Sequence, residues 1–464
     1  MSFARWALAV EALTSAILAN SVLVRAWPSI NAHSIRVRAG SAMAAATWDT
    51  PRSWCSAFIF RSPTNQAMHR LEIVATLSPS RTRQRFMDPI TAATHSDPYP
   101  FYAALRAAGG LAFDPGLNLW IASSAEAVCA VLHHPDCHVR PAHEPVPKAI
   151  AEGPTGRVFG HLMRMNEGER QHCPRAAIAP RLQDIDPRQV EALVRARFLR
   201  EGAEGLHQAQ FIGPASVVAA LLGFSPTDCQ RVSELTGDFV AGLSPLSQAP
   251  HLDAAHQASE QLTGLFQARI EAQDNPLLLG IGQGFEGADP NSKIANLIGL
   301  LSQTYEATAG LIGNALLALI GDPALRRTLR EAPTQIGSLL AEIQRFDPPV
   351  QNTRRFIAAP CKILGTALNP GEVVLVLLAS ANRDPQLNPR PDTLLLDRPN
   401  RRSFSFGSGR HECPGQTLAM DIACATLAAI LEREPPLDQL TWCYRPSVNG
   451  RIPLFCERSR TDRP

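Results

Sequence analysis

Phe406-Gly407-Ser408-Gly409-Arg410-His411-Glu412-Cys413-Pro414-Gly415 is the stretch whose reading decides the fold of this 464-residue chain. Its glycines let the backbone approach a flat ligand closely. Its one cysteine arrives where an apolar helix, expected over about 415–432, begins. The free N–H groups and the dipole of a helix start favour thiolate over thiol, and Pro414 suits a first turn. A cysteine held this way is either a nucleophile or a metal ligand.

Outward from that loop the patterns are mostly helical. Glu342 and Arg345 stand at i and i+3 on a helix expected over 333–346, where they can pair. Other helices are expected near 97–108, 124–134, 187–203, 212–223, 228–242, 253–273, 291–320 and 322–331. Leu111 to Ser123 reads as a hairpin around Pro115-Gly116, and 371–378 as a buried strand. Residues 380–412 are loop-rich. The fold class is mainly α with a small β component, in one large domain over 87–464.

Composition narrows the partners. At 45% hydrophobic and 19% charged residues the chain has ample core material. A net charge of +2 gives no electrostatic basis for binding nucleic acid or a membrane surface. Ten cysteines without a CxxC pair fit neither a zinc ribbon nor a disulfide scaffold, so a reducing, cytoplasmic setting is expected. Residues 1–86 differ in kind. They hold ten Arg against three acids, a net of +7, while the remaining 34 basic and 39 acidic residues sum to −5. This run reads as an over-extended start with Met87 the true initiator, as a native Arg-rich extension resembling a transit peptide, or as a membrane anchor.

The cysteine loop matches, at every defined position, the Phe-x-x-Gly-x-basic-x-Cys-x-Gly segment of the cytochrome P-450 superfamily, which the chain resembles from about Asp88 to its end. The resemblance implies haem b (iron protoporphyrin IX) buried between a long distal helix and the proximal Cys loop, with Cys413 the axial thiolate ligand of the iron. Phe406, Gly409 and Gly415 then belong to the cofactor site, and His411 falls at the basic position that meets a propionate. Glu342, 71 residues before Cys413, and Arg345 are similar to the family's structural ion pair, with Arg398 completing it. Arg355, in Thr353-Arg354-Arg355, aligns with a second propionate contact. Ala381-Asn382-Arg383-Asp384-Pro385 resembles a stretch of the soluble bacterial members.

Two segments depart from the family pattern. In Gln303-Thr304-Tyr305-Glu306-Ala307-Thr308 the acid Glu306 is in place, but the alcohol that normally helps water deliver protons falls on Ala307. Either Thr308 turns in through a local π-bulge, or a substrate hydroxyl substitutes, or the chemistry is not ordinary hydroxylation. Near residue 170 the family's propionate-binding His-x-x-x-Arg is broken, and His172 is expected to take the role.

Other motifs carry less. Gly282-Gln283-Gly284-Phe285-Glu286-Gly287 is formally GxGxxG, but Glu286, Asp289 and Pro290 follow it, so an inter-helix loop is expected. His133, His134, Cys137, His138 and His143 lack a recognised metal spacing, and Ser408 lacks a nucleophile context.

The family resemblance implies a monooxygenase of secondary metabolism. It would use O2 on a small, largely apolar organic substrate and take electrons from a separate ferredoxin or flavodoxin with its NAD(P)H reductase. A monomer is expected, with Arg401, Arg402 and Arg410 on a basic docking surface. The alternatives are a peroxide-using or rearrangement enzyme and a non-catalytic haem-binding sensor.

Overall fold

The computed structural model describes residues 87–197, 202–287, 289–433 and 435–457; the expectations for residues 1–86 lie outside them. Strands β1 (Leu111–Asp114) and β2 (Leu119–Ala122) pair antiparallel, with Leu111 opposite Ala122. Asp114 Oδ1 sets their turn by accepting the N–H groups of Gly116 and Leu117 at 2.9 and 3.0 Å. β3 (Cys137–His138), β4 (Thr353–Ile357) and β7 (Val373–Val376) complete a sheet in the order β1-β2-β7-β4-β3. β2 and β7 run parallel, so a long crossover must join them, and the helical body supplies it. β5 (Cys361–Ile363) with β6 (Thr366–Leu368), and β8 (Leu440–Tyr444) with β9 (Pro453–Glu457), are separate two-stranded pairs.

Six helices position the site: α1 (Tyr99–Ala107), α2 (Ala125–His133), α3 (Glu169–Gln183), α4 (Pro290–Gly321), α5 (Ile336–Phe346) and α6 (Gln416–Glu432). Ser124 caps α2, its Oγ accepting the N–H of Ala127 at 3.2 Å. The 32-residue α4 is the axis of the domain, packing on α5 and α6. Gly310 and Gly313 let neighbours touch its backbone; a Cβ on Gly310 would collide with Pro349, and one on Gly313 with Gln210. Among the described residues no single helix is long and apolar enough to cross a membrane.

The expected helices over 124–134, 291–320, 322–331 and 333–346, the hairpin and the strand near 371–378 are present. α3 was not expected. Pro174 and Pro180 lie inside it and its apolar positions form no strong stripe, so propensity argued against a helix that tertiary packing imposes. α4 is α-helical throughout, which removes the π-bulge account of Thr308; the π-turn among the described residues is at Gln208–Ile212.

Candidate active site

Cys413 lies two residues ahead of Gly415, which caps α6. Its N–H donates to the Phe406 carbonyl at 2.8 Å, and the Gly407 N–H to Phe404 at 2.8 Å, so the loop closes on itself twice. Gly407 and Gly409 have φ of 75° and 71°, a region L side chains rarely enter. At Gly409 a Cβ would also stand 3.1 Å from the His133 ring. Burial pushes the Cys413 thiol up, while the Gly415 N–H and the Arg175 guanidinium pull it down. Arg175 reaches this loop from α3, donating to the Glu412 carbonyl.

Glu342 is fully buried on α5. It accepts from Arg345 Nη2 at 2.7 Å, Arg398 Nε at 2.9 Å, Arg401 Nε at 2.9 Å and the Leu395 N–H at 3.1 Å. Burial alone would raise its carboxyl, but the bonds from Arg345, Leu395 and Arg398 hold it below the usual range. Arg345 and Arg398 spend further donors on the carbonyls of Pro389, Arg390, Pro391 and Thr393. Two buried asparagines fasten the rest. Asn382 accepts from the Phe404 N–H at 2.7 Å and donates to Ser405 Oγ at 2.8 Å; Asn388 exchanges bonds with both backbone groups of Arg402. The brace expected from Glu342, Arg345 and Arg398 is therefore present, with Arg401 as a third arginine. Arg401 is not a docking group, because its guanidinium is turned inward onto Glu342 and the Leu396 carbonyl.

Arg410 needs the same correction. Its guanidinium is committed to Glu167 Oε2 at 2.8 Å and to the carbonyls of His134, Pro135 and Cys137. His411 Nε2 meets the same Glu167 oxygen at 3.1 Å, and Glu167 Oε1 accepts the Val139 N–H at 2.9 Å. Burial would raise the Glu167 carboxyl, yet the His411 and Val139 bonds and the Arg410 charge hold it at about 2. The structure does not bring His172 to this cluster; it is exposed on α3, and its buried neighbour Gln171 donates to the Arg410 carbonyl at 2.7 Å.

Arg355 is 5% exposed on β4. Its Nη1 donates to the Arg354 carbonyl at 2.9 Å, and its buried Nε has no partner among the described residues. Burial lowers its pKa to about 10. A buried guanidinium with an open donor edge calls for a planar anion such as a carboxylate. Together with a cysteine presented at a helix start, it would offer haem b a contact for a carboxylate and a sulfur ligand for its iron. The residues fit the group.

On α4, Glu306 Oε1 pairs with Arg445 Nη1 at 2.8 Å, and the side chain keeps 42% of its accessibility. The surrounding protein still raises its carboxyl above the usual range, with Arg445 and Arg164 acting against that. Gln303, Thr304 and Ala307 share an accessible face of the helix. Thr308 does not: it is 1% exposed, and its Oγ1 has no partner among the described residues.

Glu167, Arg175 and Arg164 escaped sequence reasoning because their partners lie far along the chain. The remaining motifs resolve as structure. The GxGxxG run ends the helix Pro276–Gln283 rather than opening one. No metal-binding cluster forms among the described residues, and His133 bonds the Cys129 carbonyl and Ser408 Oγ. A surface cleft of about 480 Å³, lined by Arg327, Arg330, Pro333 and Leu431 among others, shares no residue with this site.

The family model described as Cytochrome P450 matches residues 337–433, the span from α5 through the cysteine loop to the end of α6. Cytochrome P450 monooxygenase PikC of Streptomyces venezuelae is 28% identical over 393 residues, covering 79% of this chain and 92% of that protein. Vitamin D(3) 25-hydroxylase of Pseudonocardia autotrophica is 30% identical over 305 residues, covering 61% and 74%. Among solved structures, P450BioI in complex with hexadec-9Z-enoic acid ligated acyl carrier protein superposes with a TM-score of 0.66 at 23% identity, over 78% of this chain and 98% of that one. Fold and site thus define a haem-thiolate oxygenase, and the chain belongs to the cytochrome P450 family. Its cofactor is haem b.

Proposed function

We propose that this monooxygenase inserts one atom of O2 into a small, largely apolar organic substrate, drawing electrons from a ferredoxin or flavodoxin with its NAD(P)H reductase. The presentation of Cys413 carries the reading: a loop closed on Phe406 and placed at the start of α6 offers a single sulfur. In this reading Cys413 ligates the iron, Arg355 and His411 face the propionates, and Phe406, Gly409 and Gly415 form the wall beside the sulfur. Bound there, haem supplies oxygen activation, favoured by thiolate donation. Glu306 holds and passes a proton at its carboxyl, which the surrounding protein raises above the usual range, and Arg445 orients it. In this reading residues 87–464 form the catalytic domain.

Ala307 on the accessible face, with the Thr308 hydroxyl buried, favours a second reading in which peroxide replaces O2 and reductant, so that no relay alcohol is needed. The reduced carbon-monoxide spectrum and paired turnover assays test both. A red-shifted Soret band with product formed from NADPH, a surrogate ferredoxin system and O2 supports the first reading. Product from hydrogen peroxide alone supports the second. A band without turnover by either route leaves a haem-binding sensor.

A further inference from the structure

Arg164 lies on the turn Met163–Met165, just ahead of α3. The turn is fastened to α4: the Met163 N–H donates to Asn296 Oδ1 at 2.7 Å, and Asn296 Nδ2 to the His161 carbonyl at 2.9 Å. Leu162 crowds Gly299 so closely that a Cβ there would stand 3.0 Å from Leu162 Cδ2. From this anchorage Arg164 lies within the electrostatic reach of Glu306 and Arg140. Neither completes its hydrogen bonding. Glu306 is paired with Arg445, and Arg140 donates to the carbonyls of Glu144 and Pro145 at 2.7 and 3.1 Å. Arg164 Nη1 meets Met165 Sδ at 3.4 Å, and a thioether is a weak acceptor. Its Nε is buried with no partner among the described residues. Arg164 is half-buried, and holding its enclosed Nε without an acceptor beside a thioether is costly unless an anion completes it.

We propose that Arg164 is a carboxylate receptor on the distal wall and that the carboxylate is the substrate's. The preferred substrates are then amphipathic organic acids, the head paired with Arg164 and the apolar body beside Met163 and Met165. This rests on the monooxygenase reading above. Haem also carries carboxylates, but Arg355 stands on β4 within reach of the charges of Glu167 and Arg410, whereas Arg164 stands on a turn tied to α4 within reach of Glu306 and Arg140. The two guanidinium groups serve different walls. Pairing is bidentate by the geometry of the guanidinium fork, so Lys is a poor replacement.

The test uses haem-loaded enzyme titrated with octanoic, dodecanoic and hexadecanoic acids and their methyl esters, read by the Soret shift. Wild type should bind at least one acid roughly 10–100-fold more tightly than its ester, the range of a hydrogen bond to a charged group. Arg164→Gln should erase that preference while leaving ester and azole binding unchanged, and Arg164→Lys should keep only part of it. No acid preference at any chain length, or equal weakening of acid and ester in Arg164→Gln, overturns the proposal. In a second arm, apoprotein is titrated with haem b and with its dimethyl ester. Weakened uptake of haem b alone in Arg164→Gln, with acid binding unchanged, assigns the carboxylate to the cofactor and also overturns it. The reduced carbon-monoxide band separates the two levels, since its absence in wild type would defeat the monooxygenase reading whatever Arg164 does.

Discussion

Glu342→Gln is the sharpest perturbation of the brace, because it keeps the side-chain shape and removes the charge on which three arginines converge. The site is enclosed: side-chain exposure is 0% for Glu342 and Arg345, 2% for Arg398 and 20% for Arg401. Breaking a buried pair by removing one partner costs about 3–5 kcal/mol, mainly because the remaining charge stays buried. Here several charges stay, although backbone carbonyls keep some donors of Arg345 and Arg398 occupied, so we expect a loss within that range. It is a large part of the roughly 5–15 kcal/mol that stabilises a domain, equivalent to about a 10²–10⁴-fold shift toward the unfolded chain. The folded-state pKa of Glu342 is depressed, so its contribution is complete above the unfolded value of about 4.3 and is lost as pH falls through the folded value. Guanidinium unfolding followed by circular dichroism should therefore show a wide gap between wild type and variant at pH 7 that narrows as the pH drops below roughly 4. A loss under about 1 kcal/mol at pH 7, or a gap independent of pH, would refute the reasoning.

Further outcomes bear on the chemistry. Cys413→Ser should abolish the red-shifted Soret band of the reduced carbon-monoxide complex, whereas Cys424→Ser, half-buried inside α6, should retain it. Glu306→Gln should change stability by less than about 1 kcal/mol, because the pair it breaks is partly exposed; turnover should fall roughly 10²–10⁴-fold if Glu306 moves a proton. Thr308→Val removes an unpartnered buried hydroxyl and should raise stability by about 1 kcal/mol in thermal unfolding. Increased peroxide release per NADPH in that variant would show that the hydroxyl serves the relay despite its burial. A chain beginning at Met87 should take up haem as tightly as the full chain, measured by titration of the apoproteins.

The parts legible in the sequence were those whose meaning is local. Phe406 to Gly415 carries its glycines, cysteine and helix start within ten residues, and Glu342 with Arg345 falls on one helical turn. Arg398 was legible only through the family resemblance. The rest depends on distant partners: Glu167 joins groups 28 and 244 residues away, Arg175 reaches 237 residues to the loop, and Arg164 depends on a turn tied across to α4. Arg401 and Arg410 were misassigned for the same reason, since nothing local distinguishes an arginine that faces solvent from one that folds back onto a buried acid. α3 escaped because its two prolines outweigh its pattern until it packs against its neighbours.

The irregular segment between Asn382 and Cys413 is pinned at points rather than along its length. Glu342, Asn382 and Asn388, each almost completely enclosed, close on protein atoms alone. The approach to the Cys413 loop is therefore fastened by protein contacts as far as Ser405, and we expect cofactor loading to be docking into a set frame rather than folding around a guest. Uptake by apoprotein should follow one bimolecular phase, its rate rising linearly with cofactor concentration. A substitution scan of the segment should be equally uneven, with long tolerant runs broken by a few positions where almost nothing else is accepted.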